Sequence, residues 1–374
     1  MKQGWSIKSF GDCIEKVKAT TKLQSSLYKD SGTYPIVSQE KELISGYWDI
    51  KEDLFCHSTP LVVFGDHTMV VKYIDFDFVV GADGVKILMP KPFLLPKFFY
   101  YWVSSVQIQS RGYARHFRYL KETSVPIPSQ SEQQRIVDIL DAEFAKIDAL
   151  KENAEKNLQN AKDLFQAVLR RELYSTYTQP LVDVCLGIVD CPHSTPKKST
   201  KKTEYPCIRT SELGKGEILW STMQYVDEDE YLKRIGRMIP QYEDIVYGRE
   251  GTIGNAVLIP KEHNFCLGQR TTMFRPNKDI VDPKYLLYAI LSPYVYDQAM
   301  MKNNGCGVAH VNVADIKQFR IPMKRTSAEQ QRVVGVLDRL NTNCKILNEN
   351  FLKTMILCDD LKQALLRKAF NGEL

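Results

Sequence analysis

Residues 131 to 141 read Ser-Glu-Gln-Gln-Arg-Ile-Val-Asp-Ile-Leu-Asp, and residues 328 to 338 read Ala-Glu-Gln-Gln-Arg-Val-Val-Gly-Val-Leu-Asp. The second stretch follows the first by 197 residues, about half of the 374-residue chain, and the same spacing carries Leu169-Arg170 onto Leu366-Arg367. Self-similarity at a fixed spacing is the sequence signature of a repeated structure. The chain is therefore predicted to be a duplication with an internal pseudo-two-fold.

The duplication extends upstream of each shared stretch, where landmarks recur in the same order at changing intervals. They are Tyr34-Pro35 and Tyr205-Pro206, Val63-Phe64-Gly65 and Val246-Tyr247-Gly248, Gly81 and Gly268, Pro96-Lys97 and Pro283-Lys284, and Ile127-Pro128 and Ile321-Pro322. Loops have changed length while the framework has been kept. We predict module 1 over residues 1–128, a first helix over 129–176, module 2 over 177–322 and a second helix over 323–374.

The composition is that of an ordinary folded protein, with 44% hydrophobic and 25% charged residues and a length that allows two cores. The nine cysteines form no Cys-x-x-Cys pair, so neither a zinc ribbon nor a disulfide framework is predicted. No apolar run approaches the roughly 18 residues of a membrane span, and the start does not resemble a signal peptide. We expect a cytoplasmic protein that contacts no membrane.

The shared stretches begin two long helices. Apolar residues recur in steps of three and four from Ile136 to Val168 and from Val333 to Leu365, which predicts a coiled-coil seam on each helix. About 40 residues at 1.5 Å each give a rod of roughly 60 Å. The pseudo-two-fold requires the two helices to pair antiparallel. The alternative is that each helix packs independently on its own module.

The start of each helix has a pattern typical of a capping box. Ser131 is followed three residues later by Gln134, and Ser327 by Gln330. A proline precedes each of these serines and resists helix formation in the residue before it. We therefore predict Ser131 and Ser327 as the N-caps.

The modules are predicted to be mixed α+β domains. Short β-branched or aromatic runs, separated by Gly or Asp turns, predict strands at residues 61–64, 69–73, 78–80 and 85–89. Residues 96–105 and 283–292 each open on Pro-Lys, which favours short helices with proline at the start.

A net charge of +5 and a pI near 8.5 weakly favour binding to a polyanionic partner. Cations alternate with aromatics over residues 111–119, and residues 197–202 form a basic loop. In the glycine-rich loops, Arg249 and Arg270 could grip guanine and Gln269 adenine. Candidate DNA contacts are His67, Thr68, Lys72, Arg111, Tyr113, Arg115 and Arg118 in module 1, and Lys197, Lys198, Lys201, Arg209, Arg249, Thr252, Gln269 and Arg270 in module 2. Alternatively, the glycine loop only turns the chain and Arg249 pairs with Glu250 or another acid.

Signatures of catalysis are missing from the sequence. The chain has no Gly-Lys-Ser/Thr phosphate loop and no Pro-Pro-aromatic methyltransferase loop. Asp49-Ile50-Lys51 has a nuclease-like spacing that is too short to be specific, and His57 and His67 near Cys56 have no counterpart in module 2. We predict no catalytic residue and no bound cofactor or metal.

Taken together, these features resemble the specificity subunit of a type I restriction–modification system. The similarity is carried by Ile-Pro followed by Glu-Gln-Gln-Arg in both halves, by Ala369-Phe370-Asn371-Gly372-Glu373-Leu374, and by residues 64–68 and 81–88 of module 1. The resemblance implies two target recognition domains, each reading half of a split DNA site, with the paired helices as the spacer. Because the modules differ in sequence, the two half-sites should differ.

The resemblance also implies partners. Two modification subunits would bring S-adenosylmethionine and methylate adenines, and two restriction subunits would add translocation and cleavage driven by ATP with Mg²⁺. The competing interpretation is a non-catalytic coiled-coil scaffold that binds proteins rather than DNA. A self-sufficient nuclease or methyltransferase is a third, which the absence of motifs disfavours.

Overall fold

A computed structural model describes residues 4–17, 21–82, 84–109, 112, 114–302 and 309–374. The chain divides into two compact units: unit 1 contains Met1–Glu155 and Phe351–Leu374, and unit 2 contains Lys156–Asn350. Each unit therefore holds one module together with part of each long helix. No helix in the described ranges has both the length and the apolar character needed to cross a membrane.

Module 1 is built from short strands and short helices. Its elements are β1 (Ser6–Ser9), α1 (Phe10–Cys13), β2 (Tyr34–Val37), β3 (Gly46–Trp48), β4 (Leu54–Phe55), β5 (Leu61–Gly65), β6 (Val71–Ile74), β7 (Phe78–Val80), β8 (Val85–Leu88), α2 (Pro96–Ser105), α3 (Phe117–Lys121) and β9 (Ser124–Ile127). The long helix α4 (Gln130–Leu173) follows. The predicted strands and the predicted helix at 96–105 are confirmed.

Module 2 follows the same plan. Its elements are β10 (Thr178–Pro180), β11 (Cys185–Asp190), β12 (Pro206–Ile208), β13 (Gln224–Tyr225), α5 (Glu228–Arg234), β14 (Ile245–Gly248), β15 (Ala256–Leu258), β16 (Cys266–Leu267), β17 (Thr271–Pro276), α6 (Pro283–Ile290), α7 (Pro293–Met301), α8 (Val313–Lys317) and β18 (Arg320–Pro322). The long helix α9 (Ser327–Asn371) closes the series. The predicted helix at 283–292 is present as α6.

The sheet topology repeats between the modules. Strand β5 lies between β6 and β8, as β14 lies between β15 and β17. Strands β2 and β7 pair in parallel, and so do β12 and β16. Antiparallel pairs β1·β9 and β10·β18 bring each module's ends together next to a long helix. The duplication inferred from the landmarks is thus visible as a shared strand order.

One strand distinguishes module 2. Strand β11 pairs along β17 from Cys185 to Asp190. In module 1 the described residues at the corresponding position form a single isolated bridge, between Ile14 and Pro90. Strand β11 ends at Asp190, and the described part of module 1 has no strand at that position.

Within each unit, α4 and α9 run antiparallel. The cross-helix contacts pair rising numbers on α4 with falling numbers on α9. In unit 1 they are Asp148–Lys362 and Lys151–Asp359, and in unit 2 they are Ala161–Cys344 and Glu172–Arg332. The predicted antiparallel pairing is confirmed.

The predicted seam is only partly buried. Ile136, Leu140, Val333 and Leu337 lie under the modules and are at most 1% exposed. Farther along the helices, Leu150, Leu347 and Leu361 are 56%, 37% and 48% exposed although they fit the periodicity. Burial is complete where a module adds a third layer, whereas a lone pair of helices covers only a narrow strip of each.

The first glutamine of each Glu-Gln-Gln-Arg motif is buried and forms hydrogen bonds with backbone groups of its module. Gln133 Oε1 accepts the Leu95 N–H at 2.8 Å, and its Nε2 donates to the carbonyls of Phe93 at 2.9 Å and Pro128 at 3.1 Å. Gln330 does the same with the Asp282 N–H and the carbonyls of Ile280 and Lys324. Both side chains are buried. Each clamps two chain segments of its module to the first turn of its helix.

The predicted caps are wrong because both predicted box partners bond elsewhere: Gln134 donates to Asp138 on the exposed face of α4, and Gln330 turns inward. Ser129 Oγ accepts from the Glu132 N–H at 3.3 Å, so the first cap lies two residues before Ser131. At α9, Thr326 Oγ1 accepts from the Glu329 N–H while Glu329 accepts from the Thr326 N–H. This is a capping box placed one residue earlier than predicted, and it leaves Gln330 free for the buried clamp.

A second contact repeats about two turns farther along each helix. Asp141 accepts from Lys97 Nζ at 2.8 Å and from the Tyr101 hydroxyl. Asp338 accepts from Lys284 Nζ at 2.7 Å and from the Tyr288 hydroxyl at 2.6 Å. Burial, followed by the adjacent carboxylate, raises the pKa of both tyrosine hydroxyls, so they stay protonated and donate. Lys97 and Lys284, which bind these aspartates, are the lysines of the two Pro-Lys landmarks.

We predict that replacing Gln133 with Leu destabilises module 1. The substitution leaves one N–H and two carbonyls without the glutamine as partner, and each buried unpaired group costs about 1–3 kcal/mol, so the free energy of unfolding should fall by at least about 3 kcal/mol. Urea unfolding followed by tryptophan fluorescence suits the measurement, because three of the four tryptophans, at 5, 48 and 102, are in module 1.

The matched control is Gln134→Leu, which changes the adjacent glutamine. Gln134 is exposed, and its Nε2 donates to Asp138 of the same helix at 2.8 Å. Its unfolding midpoint should stay close to that of the wild-type chain. Equal shifts for the two variants would refute the clamp.

Candidate nucleic-acid interface

The candidate interface of module 2 lies where four segments meet at one end of the β12·β16 and β14·β17 strand pairs. Strand β12 ends before Arg209 and β16 before Gly268, and Gly268 N–H donates to the Ile208 carbonyl at 2.7 Å. A Cβ at Gly268 would lie 2.2 Å from Arg209 Cγ and 2.8 Å from its Cα. Glycine is therefore required here for the two strand ends to approach each other.

Each of the three predicted arginines is paired with a carboxylate. Arg209 contacts Glu212, with Nη2 to Oε1 at 2.6 Å. Arg249 contacts Asp190 at the end of β11, with Nε to Oδ1 at 3.0 Å. Arg270 contacts Glu250, with Nε to Oε1 at 3.0 Å. The predicted pairing of Arg249 with an acid is confirmed, and the acid is Asp190 rather than Glu250.

The polar neutral candidates join the same cluster. Gln269 Nε2 donates to the His193 carbonyl at 2.9 Å, and its Oε1 accepts from Thr195 at 3.3 Å. His193 Nε2 lies 3.2 Å from Asp190. Thr252 Oγ1 reaches the Thr210 carbonyl at 3.5 Å. The structure thus brings Arg209, Arg249, Thr252, Gln269 and Arg270 together, and the side chain of each contacts a neighbouring acid or backbone carbonyl.

The basic loop of module 2 is exposed beside this cluster. Lys197, Lys198 and Lys201 all face solvent. The loop is tied to the module by Ser199, whose N–H donates to the Tyr225 carbonyl at 2.8 Å. A mobile ammonium on a fixed loop suits contact with a phosphate backbone, which needs charge more than geometry.

In module 1 the equivalent loop joins β5 to β6. Gly65 corresponds to Gly248, and in both positions a Cβ would collide with a loop threonine: it would lie 2.3 Å from Thr68 Oγ1 or 2.7 Å from Thr252 Oγ1. Thr68 Oγ1 donates to the Gln39 carbonyl at 2.6 Å, and the His67 N–H donates to Gln39 Oε1 at 3.2 Å. The tip therefore presents His67, Thr68 and Gln39 together.

The loop of module 1 is anchored to α3 by Asp66, which is buried. Asp66 Oδ1 accepts from the Phe117 N–H at 2.8 Å, and its Oδ2 lies 3.4 Å from Lys86 Nζ. This places the exposed residues Arg115 and Arg118 on the segment joined to the loop. Arg118 stacks on Tyr119, with Cζ 4.6 Å from the ring centroid. Arg111 and Tyr113 lie outside the described residues.

Lys72 is placed differently from the other candidates. Its side chain is buried, and Nζ donates to the Ser38 carbonyl at 2.9 Å and to the Glu42 carbonyl. Burial lowers its pKa, and the nearby Glu42 and Glu40 oppose that shift. Lys72 holds the β2–β3 loop rather than facing solvent, so we leave it out of the proposed interface.

Sequence reasoning missed the acids that organise the cluster. Asp190 is 59 residues from Arg249 in the chain, and Glu212 is wholly buried against Arg209. Gln39 was also missed, since it lies 28 residues before His67. A signal existed only for Glu250, which is adjacent to Arg249 in a glycine-rich loop, and it pairs instead with Arg270.

The residues considered for catalysis hold neighbouring chain segments. Asp49 accepts from Lys29 at 2.8 Å and from the Thr33 N–H at 3.0 Å, and these hydrogen bonds hold the pKa of its carboxyl below its usual range. Both ring nitrogens of His57 face backbone carbonyls, those of Thr59 and Phe76, at 2.8 Å. Among the described residues no group of three His, Cys, Asp or Glu side chains could hold a metal ion.

Comparison with known proteins gives consistent matches along the chain. Escherichia coli has two similar specificity subunits: that of the type I restriction enzyme EcoR124I/EcoR124II is 24% identical over 373 residues, covering 90% of this chain and 87% of that protein. That of EcoBI is 21% identical over 367 residues, covering 89% and 76%.

Solved structures share the fold. A chain from a study of complex assembly and conformational transition in a type I restriction–modification system matches with a TM-score of 0.72 at 17% identity, covering 100% of this chain and 99% of that one. The HsdS subunit from Thermoanaerobacter tengcongensis matches with a TM-score of 0.53 at 16% identity, covering 100% and 98%. The family model of the type I restriction modification DNA specificity domain matches residues 2–160 and 183–354, and the chain belongs to this family.

Proposed function

We propose that this chain reads a bipartite, asymmetric DNA site, one half with each module, and positions methylating and restriction subunits on it without chemistry of its own. The observation that carries the proposal is the repeated topology with unlike loops. Two modules with the same strand order present their loops at equivalent strand ends, His67 and Thr68 in one and Arg249 to Thr252 in the other. Equivalent placement with different side chains is what reading two different half-sites requires.

The division of labour within a module follows from the side chains. Phosphate contacts fix register without sequence information, whereas bases are read in the groove by rigid donors and acceptors. In module 2 the exposed lysines 197, 198 and 201 suit the first task. Arg249, Gln269 and Arg270, held by Asp190, His193 and Glu250, suit the second. In module 1 Arg115 and Arg118 suit phosphate, and His67 with Thr68 suits base edges.

The antiparallel helices are proposed to set the gap between the half-sites. Helices α4 and α9 each run unbroken from one unit into the other, and each begins at a glutamine clamp that fixes it to a module. A continuous helix is a stiff connection with a rise of 1.5 Å per residue. The allowed gap should therefore depend on the number of helical residues.

The partner subunits are proposed to dock partly on the helices. Large apolar side chains are exposed along them, which is unusual unless a partner covers them. In unit 1 these are Leu150, Leu352, Ile356, Leu357 and Leu361, and in unit 2 they are Leu164, Ile346 and Leu347. We propose two modification subunits, matching the duplication, and two restriction subunits. S-adenosylmethionine, ATP and Mg²⁺ would be bound by those partners and not by this chain.

Methylation mapping tests the proposal and the spacer together. In cells that carry the chain with its modification subunits, we expect methylated adenines in a two-part motif with a fixed gap. Inserting one heptad into both helices, between residues 155 and 156 and between 350 and 351, adds about 10 Å. The mapped gap should then widen by about three base pairs.

The control is the same insertion in α4 alone, which shifts the helices out of register and should abolish methylation. A doubly extended chain that still methylates only the original spacing would contradict the spacer. A wild-type system whose methylation shows no two-part motif would contradict the proposed function.

The lysines of the basic loop should contribute salt-dependent affinity without specificity. Each phosphate contact adds about 0.9 to the slope of log K against log salt, so Lys197→Gln with Lys198→Gln should reduce that slope by about 1–2. Preference for the mapped site over a scrambled duplex should stay nearly constant. Fluorescence anisotropy from 50 to 200 mM salt measures both quantities.

The matched control is Lys261→Gln with Lys278→Gln. These two lysines lie against the Tyr242 ring, near the opposite end of β14 from the reading loops. Their removal lowers the net charge by the same amount and should leave the slope nearly unchanged. Equal slopes for the two double variants would mean that net charge, and not a contact at the loop, drives binding.

A further inference from the structure

The reading loops of module 2 contain an ion pair that is more exposed than its neighbours. The Arg270 side chain is 47% exposed and Glu250 is 23% exposed, whereas Arg249 is 11% exposed. Arg270 is thus the arginine of the cluster most accessible to DNA. In the free protein its charge is already matched by a carboxylate.

Both partners of this pair are held by backbone contacts. Arg270 has a φ of +70°, an uncommon conformation for a residue with a side chain, and its carbonyl accepts from the Arg249 N–H at 3.2 Å. Glu250 forms a bridge with His310, and the Val311 N–H donates to the Arg249 carbonyl at 2.9 Å. Such restraint on both sides of an exposed ion pair indicates that the pair is positioned rather than incidental.

A neutralised arginine interacts differently with the two parts of DNA. Phosphate attracts a guanidinium mainly through net charge, and the Glu250 carboxylate cancels that charge and repels the phosphate. Guanine offers two acceptors, N7 and O6, and bears no net charge. The carboxylate contacts Nε most closely, and a guanidinium has further N–H donors that can reach a base.

We propose that Glu250 is a specificity-determining residue, which keeps Arg270 from binding phosphate so that it engages a guanine edge in the half-site read by module 2. This inference rests on the proposed function. The equivalent loop of module 1 presents His67 and Thr68 instead of an arginine–carboxylate pair. Glu250 therefore affects discrimination in one half-site only.

The test uses Glu250→Gln in the full chain, purified with its modification subunits. The probes are a duplex with the mapped site and duplexes in which one half-site is scrambled. We expect about five- to tenfold tighter binding to the duplex with a scrambled module 2 half-site, and a salt slope steeper by about 1. Preference for the intact module 2 half-site should fall about tenfold. Discrimination in the module 1 half-site should stay at the wild-type level.

The matched control is Glu243→Gln. Glu243 precedes β14 whereas Glu250 follows it, so the two lie near opposite ends of that strand, and Glu243 pairs with Lys278 at 2.6 Å. The control removes the same charge from the same module and should bind like the wild-type chain. If Glu250→Gln and Glu243→Gln behave alike, the inference is wrong.

Two further variants connect the effect to Arg270. Adding Arg270→Gln to Glu250→Gln should return non-specific affinity and salt slope to near the wild-type values, and persistence of tight non-specific binding would overturn the inference. Arg270→Lys keeps the charge and loses the bidentate fork. It should lose preference for the module 2 half-site, and unchanged preference would also overturn the inference.

A wild-type complex that fails to distinguish the mapped site from either scrambled duplex would instead overturn the proposed function.

Discussion

The buried glutamine at the start of each long helix is the contact on which the rest of the architecture depends. Gln133 and Gln330 each satisfy one N–H and two carbonyls where a module's chain turns into a helix. A buried amide that loses such partners is costly, and few other side chains offer both an acceptor and two donors at that reach. The clamp, together with the aspartate about two turns later, fixes the first turns of the helix to the module. A reading loop held in this way has a defined position relative to the helix that carries it.

Much of this framework could be predicted because it obeys the duplication. Four strands of module 1, the helices that open on Pro-Lys and the antiparallel pair all follow from residue patterns, matching landmarks and periodicity, whereas the strand order appears only in the structure. The caps were misplaced because Ser131 and Gln134 satisfy the local pattern equally well, and only tertiary contacts reveal that Gln133 is the residue turned inward. Leu150 and Leu361 fit the apolar periodicity and yet are exposed. Periodicity identifies the apolar face of a helix, but it does not tell how many neighbouring elements cover that face.

The residue types of the candidate interface could be predicted from the sequence, but the residues that their side chains contact could not. Arginine and glutamine next to glycine-rich turns indicated three base-reading candidates, Arg249, Gln269 and Arg270, and the structure brings them together with Arg209 and Thr252. One partner acid comes from a distant segment: Asp190 lies at the end of β11, whose described counterpart in module 1 is an isolated bridge. Lys72 was predicted to contact DNA, but its side chain turns inward and its ammonium donates hydrogen bonds to two backbone carbonyls. Charge alone does not say whether a cation faces solvent.

The two glycines at the ends of the parallel strands show how recognition can vary without loss of the fold. A Cβ at Gly81 would lie 2.9 Å from Ser38 Cβ, and one at Gly268 would lie 2.8 Å from Arg209 Cβ. On the strand side of these positions, backbone ladders and clamps fix the structure. On the loop side, arginine–carboxylate pairs such as Arg249–Asp190 and Arg270–Glu250 can be exchanged together. An arginine introduced there without its carboxylate would add attraction for any phosphate, so new specificity requires that the two change as a pair.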